Sequence, residues 1–262
     1  NSYVSNKIGG GANQRRAAYD LPCGVVSVDS TVVNGKTVYT FHYGKQTKCG
    51  YKYKSGDISF KLVQGTSFSD PGAVNSITFK NYKVESNATG DELVLNGTLY
   101  TTNVNGGYIW QAIIFGDTIV HKIRGNFITT FANGQSRPKN LYQLRTWSSS
   151  NSWAGLTFRV QGDTLGNVSE TGKTYDGNFD YETQILEDFM WANCGDSFMG
   201  PFVLKTGTAK LNASVPLVNP AQVQVEAGYK SEGHIKTNDC SSNEFKITAT
   251  FGAETKTEYQ LY

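Results

Sequence analysis

At 262 residues with 24 basic and 22 acidic side chains, the chain is long enough to bury a core without staples. Its charge is too even for the clustered basic face of a nucleic-acid binder. Its 28 glycines, 15 tyrosines and 14 phenylalanines against 2 methionines favour pleated strands and tight turns, and it holds no run of about 18 apolar residues of the kind a membrane-spanning helix needs.

Residues 1–20 are polar and glycine-rich and read as a flexible leader. Strand signals then follow one another closely. Val25–Val32, an Asn34-Gly35 turn and Lys36–Tyr43 form a hairpin, with Tyr39, Phe41 and Tyr43 on one face of its second strand. Asp57–Gln64 puts Ile58, Phe60 and Leu62 on one face. Ser76–Glu85 carries Ile77 and Phe79, then Tyr82 and Val84, and this change of parity predicts a bulge near Lys80-Asn81. Glu92–Thr102 follows, and then Gly107–Phe115, apolar on both sides, reads as a central strand with Trp110 in the core. Thr118–Phe131, Leu141–Trp147, Leu156–Gln161, Asn178–Ile185, Phe202–Leu211, Val223–Ala227 and Glu244–Phe251 complete the set. Thr183–Ala192 is the best helix candidate, but it lacks a cap and reads as strand running into a loop. The expectation is an all-β, many-stranded antiparallel meander forming a sandwich or open barrel. Residues 21–262 form one β-rich unit, with the serine-rich loop Ser148–Ser152 as the candidate seam.

Four cysteines permit three pairings. Cys23 and Cys49 bracket a hairpin, as do Cys194 and Cys240, so Cys23–Cys49 and Cys194–Cys240 are the favoured disulfides and point to export. The alternative is four free thiols in a reducing compartment.

Catalytic and cofactor motifs are missing. No HExxH, no G-x-S-x-G elbow and no acidic calcium loop occurs. No cofactor or metal is expected. The carboxylates Asp176, Asp180, Glu182, Glu187 and Asp188 lie among Tyr175, Phe179, Tyr181 and Trp191. A glycoside hydrolase needs such a pair with a stacking platform, and a solvent-facing strand edge looks the same. Trp147 and Trp153 flank the polar loop, with Tyr142 nearby, and offer a binding surface for a sugar or a protein, or an aromatic lid over a sheet end. Lys45, Lys48, Lys52 and Lys54 interleave with tyrosines, as a solvated hairpin rim or as a grip on a polyanion or glycan.

Three stretches carry a family resemblance: Gly35–Leu62 (GKTVYTFHYGKQTKCGYKYKSGDISFKL), Leu141–Gly166 (LYQLRTWSSSNSWAGLTFRVQGDTLG), and Cys194–Leu211 with Asn238–Leu261. Over residues 21–262 the chain resembles the all-β cell-envelope lipoproteins of Bacteroidota, a group mostly without assigned activity. It departs from their pattern in the lysines after Tyr43 and in a longer stretch between Cys194 and Gly207. The resemblance brings no catalytic residue. It implies an exported protein at the outer membrane or cell surface, touching the membrane only through a lipid anchor on a cysteine preceding Asn1. The expected function is non-enzymatic binding of a partner, either a glycan or another envelope protein, alone or as a subunit of a larger envelope assembly. The alternative is a carbohydrate-active enzyme using the carboxylates of 176–188.

Overall fold

Alternation of apolar and polar side chains decides most of the structure, because a period of two turns one face of each strand inward. A computed structural model describes residues 21–45, 48–49, 52–86, 90–174, 177–195, 202–214 and 221–261. The leader 1–20, Tyr175 and Asp176 lie outside the described residues. Sixteen strands and one short α-helix occur among them, and every described strand pair is antiparallel. The fold is all-β. The chain divides into two compact units, one of residues 1–106 and 125–138, the other of 107–124 and 139–262.

The first unit holds β1 (Val25–Val33), β2 (Lys36–Tyr43), β3 (Lys48–Cys49), β4 (Lys52–Gln64), β5 (Ala73–Ser86) and β6 (Glu92–Asn103). Their hydrogen-bonded order is β1-β2-β4-β5-β6, with β3 beside β4. The alternation produces two kinds of cross-strand row. Phe41, Ile58 and Phe79 lie opposite one another on one face, as do Tyr39, Phe60 and Ile77. The Phe41 and Phe60 rings meet edge to face at 5.3 Å. The other face carries Thr40 bonded to Ser59 at 2.9 Å and Thr78 bonded to Thr98 at 3.0 Å.

The bulge read from the parity switch is present. Pairing of β5 with β6 shifts between Phe79 and Tyr82, and Asn81 takes φ 49°. Across from it on β4, Gly56 has φ 88°, and a Cβ there would lie 2.0 Å from the Asn81 carbonyl oxygen. Glycine is therefore the residue that admits the bulge.

The second unit begins with α1 (Ile109–Phe115) and includes the adjoining parts of β7 (Ile119–Phe131) and β8 (Ser136–Ser148). It continues through β9 (Thr157–Gly162), β10 (Val168–Lys173), β11 (Asp180–Asn193), β12 (Phe202–Ala213), β13 (Ala221–Lys230), β14 (Ile235–Lys236), β15 (Glu244–Phe251) and β16 (Glu254–Leu261). The long strands β8 and β11 are bridged by two short ones end to end. β10 pairs Lys139–Leu141 with Asp180–Gln184, and β9 pairs Gln143–Ser148 with Phe189–Ala192. From β11 the order runs β12, β13, β15, β16.

Two readings change. Gly107–Phe115 is not a central strand: Ile109–Phe115 is helical, and Trp110 is 37% exposed rather than in the core. A short run apolar on both sides does not distinguish a buried strand from a helix by period. The ends decide here. The Gln111 side chain accepts a hydrogen bond from the Tyr108 N–H at 2.5 Å, and Gly116 closes the helix in the left-handed region at φ 71°. Thr183–Ala192 does not run into a loop. Strand β11 continues to Asn193, with register shifts between Ile185 and Trp191.

Both disulfides form as the cysteine spacing suggests: Cys23–Cys49 and Cys194–Cys240.

Candidate functional site

The second unit concentrates the chemistry. On one face, Trp147 of β8, Phe158 of β9 and Trp191 of β11 are direct cross-strand neighbours and form an aromatic row. Trp147 stacks on Phe158 at 4.3 Å, and Phe158 lies 5.3 Å from Trp191. Phe202 meets Trp147 edge-on at 6.3 Å, and the Arg145 guanidinium sits 5.9 Å from the Phe158 centroid. Burial lowers the Arg145 pKa. It also drives that of His121, on β7, down to about 4, helped by the Arg145 charge.

The loop between β8 and β9 is a folded element rather than a slack linker. Ser149 Oγ donates to the Ser152 carbonyl at 2.6 Å, and the Gly155 N–H donates to Ser152 Oγ at 2.9 Å. The Trp153 carbonyl accepts from Asn193 Nδ2 at 2.8 Å and from the Leu156 N–H at 3.1 Å, above a fully buried Leu156. Asn151, at φ 60°, lays its side chain over Gly116: a Cβ there would sit 2.7 Å from Asn151 Oδ1. The loop is thereby packed against the C-terminal end of α1.

That contact joins the loop to a surface the sequence pattern does not reveal. Helix α1 buries Ala112 and Ile113 and presents Ile114 and Phe115 to solvent at 60% and 62% exposure, beside Trp110. Trp110 lies 6.1 Å from both Tyr108 and Phe115. A central strand covered by layers on both sides buries both of its faces and carries such an apolar run. A seven-residue helix buries only one.

The opposite face of the β8–β9–β11 region carries the carboxylates. Arg159, Glu187, Asp188, Met190 and Thr206 line a cleft of about 400 Å³. Glu187 accepts hydrogen bonds from Thr206 Oγ1 at 2.9 Å and Thr208 Oγ1 at 3.1 Å, and Asp188 accepts from Gln161 Nε2 at 2.9 Å. Adjacent residues on a regular strand point to opposite faces. The irregular register of β11 from Ile185 to Trp191 is what lets Glu187 and Asp188 line one cleft. Met190 faces this cleft, so Trp191, the next residue, belongs to the other face with the aromatic row.

The remaining predicted residues are dispersed. Tyr142 and Trp147 are separated by an odd number of positions along β8, so they point to opposite faces. Lys45 is ion-paired with Glu85 at 2.8 Å. Lys52 is exposed at the start of β4, Lys54 is half-buried further along it, and Lys48 belongs to β3, its side chain lying outside the described residues. These lysines belong to the first unit and the tryptophans to the second. Asp180 pairs with Lys173 at 2.7 Å, and Glu182 is exposed. Among the described residues no group of His, Cys, Asp and Glu side chains is arranged to hold a metal.

The other two histidines are engaged. His42 bridges Asp57 at 2.8 Å and Asp29 at 3.0 Å. The Asp57 hydrogen bond is the main cause of its raised pKa, with partial burial opposing and Asp29 adding to it. His234 bonds the buried carboxylate of Glu244 at 2.7 Å and stacks on Tyr259 at 4.0 Å. Compared with known proteins, the chain matches no family model, no curated protein and no solved structure.

Proposed function

We propose that this is an exported cell-envelope protein without catalytic activity that binds another envelope protein through the surface built by α1 and the β8–β9 loop. The observation that carries this reading is the exposed Ile114–Phe115 pair beside Trp110, held against an ordered loop by the Gly116–Asn151 contact. Aliphatic and aromatic side chains together on a helix suit a protein partner better than a sugar, whose hydroxyls need convergent polar groups. The two disulfides support export, since such bonds persist in oxidising compartments. Placement at the outer membrane or cell surface through a lipid anchor rests on the resemblance to Bacteroidota envelope lipoproteins.

A photo-crosslinking amino acid at position 115 tests the reading in native membranes. A discrete protein adduct is expected at 115 and none at the exposed control position Lys256 on β16. Equal labelling at both, or none at 115, defeats it. A glycan array run beside it examines the sugar alternative, for which the Trp147–Phe158–Trp191 row is the supporting feature.

The second reading is a carbohydrate-active enzyme using Glu187 and Asp188, favoured by their shared cleft. The nearest aromatic row faces away from these carboxylates, so a sugar stacked on Trp191 does not present its glycosidic bond to them. Turnover of a glycan that is lost in Glu187→Gln would restore the enzymatic reading.

A further inference from the structure

The two terminal strands of the hydrogen-bonded order differ in how they treat their open edges. Strand β16, ETKTEYQL, carries Glu254, Lys256 and Glu258, all exposed. Charged side chains on an edge discourage another strand from adding to it. Strand β1, VVSVDSTVV, has a single charge in nine residues and is largely exposed, with Val32 at 72% and Val26 at 56%. Among the described residues it pairs only with β2. Asp29, its one charge, is drawn toward its own sheet by His42 Nε2 at 3.0 Å. A β-branched edge of this length with one charge, no proline and no central bulge is a template for a further strand.

We propose that β1 pairs antiparallel with β1 of a second copy of this chain, about a two-fold axis at Ser30. Sequence symmetry selects the occupant and the register. The regular part of the strand is Ser27–Val33, since pairing with β2 shifts between Val25 and Ser27. Centred on Ser30, that segment matches itself end to end. Val28 lies opposite the partner's Val32, Ser27 opposite the partner's Val33, and Asp29 opposite the partner's Thr31. Val28 and Val32 belong to the face of Phe41 and Tyr39, so the β-branched pairs extend the apolar rows of the unit. Centring on Asp29 instead sets two carboxylates against each other and runs the pairing into the bulge. The Ser30 axis also closes, because each copy contributes the same edge, β1, and the pairing leaves no copy of it open. A head-to-tail β1–β16 contact leaves open ends and propagates.

Light scattering on the full, oxidised chain tests this. The expected mass is twice that of the 28.7 kDa chain. Ser30→Lys sets two ammonium groups opposite each other at the axis and is expected to give the single-chain mass with its circular-dichroism spectrum unchanged. Ser30→Glu behaves likewise alone. Mixing the two variants is expected to restore the double mass, because lysine then faces glutamate, and a misfolded variant has no such rescue. A single-chain mass for the native protein, a dimer indifferent to Ser30→Lys, or folded variants that stay apart on mixing each overturns the proposal.

Discussion

The indole of Trp147 stacks on the ring of Phe158, its opposite neighbour across β8 and β9, with centroids 4.3 Å apart and planes 27° from parallel. Phe158 passes the contact on to Trp191, so the row ties three strands together. Trp147 is half-buried within it rather than displayed on the loop it precedes. Trp147→Ala is expected to destabilise by about 2–3 kcal/mol, from lost area and lost ring stacking. Urea unfolding checks it: the midpoint falls at an unchanged slope, and Trp147→Phe recovers most of the loss.

The exposed pair on α1 behaves the other way. Ile114→Ser and Phe115→Ser remove little buried area, so stability stays within about 0.5 kcal/mol. The variants are expected to lose the partner adduct all the same. A large fall in melting temperature would instead mark these side chains as packed, and the docking surface would lie elsewhere.

The disulfides close spans of 26 and 46 residues. The chain-entropy relation assigns them roughly 3.5 and 4 kcal/mol. Intact mass is expected to rise by about 2 Da per bridge on reduction. Unfolding of Cys194→Ser/Cys240→Ser beside Cys23→Ser/Cys49→Ser is expected to show the longer loop as the costlier loss.

Gly56 faces the Asn81 bulge too closely for any side chain. Gly56→Ala combines an unfavourable φ with contact to the Asn81 carbonyl and is expected to cost about 2–3 kcal/mol. Replacing the left-handed Asn81 by Gly is expected to be near neutral. Chemical denaturation of both variants separates the two outcomes.

Two histidines give opposite pH dependences. The pKa of His42 is raised in the folded state by Asp57 and Asp29, so its contribution is complete below the unfolded value of about 6.5 and is lost as pH rises through the folded value. His121 is lowered to about 4 by burial, so its contribution is present above about 6.5 and is lost as pH falls through 4. Unfolding midpoints across pH 3–9 are expected to decline on both sides. His42→Gln flattens the alkaline limb and His121→Leu the acid limb. Unchanged limbs in these variants would assign the dependence to other groups.

Much of the first unit is legible in the chain because its strands alternate cleanly. Phe41, Ile58 and Phe79 are read as inward-facing from period alone and then meet in one row, and the parity change after Phe79 locates the Asn81 bulge. The cysteines were readable for a related reason, since each pair brackets strands whose return brings its ends together. The helix at Ile109–Phe115 was not legible. A short run apolar on both sides carries no period, and its identity rests on Gly116, Gln111 and the Asn151 contact.

By itself the sequence determined the all-β class and which side chains can share a strand face, and it favoured the disulfide pairs that the structure shows, because these follow from local alternation and from spacing along the chain. Only the tertiary structure decided that Trp147 is engaged by Phe158, that Ile114 and Phe115 remain exposed, and that Glu187 and Asp188 line one cleft. Each depends on which distant segment arrives beside it. The Trp147–Phe158 pairing, the Asn151–Gly116 contact and the shifted register of β11 against β12 are set by residues far apart in the chain, and no local pattern encodes them.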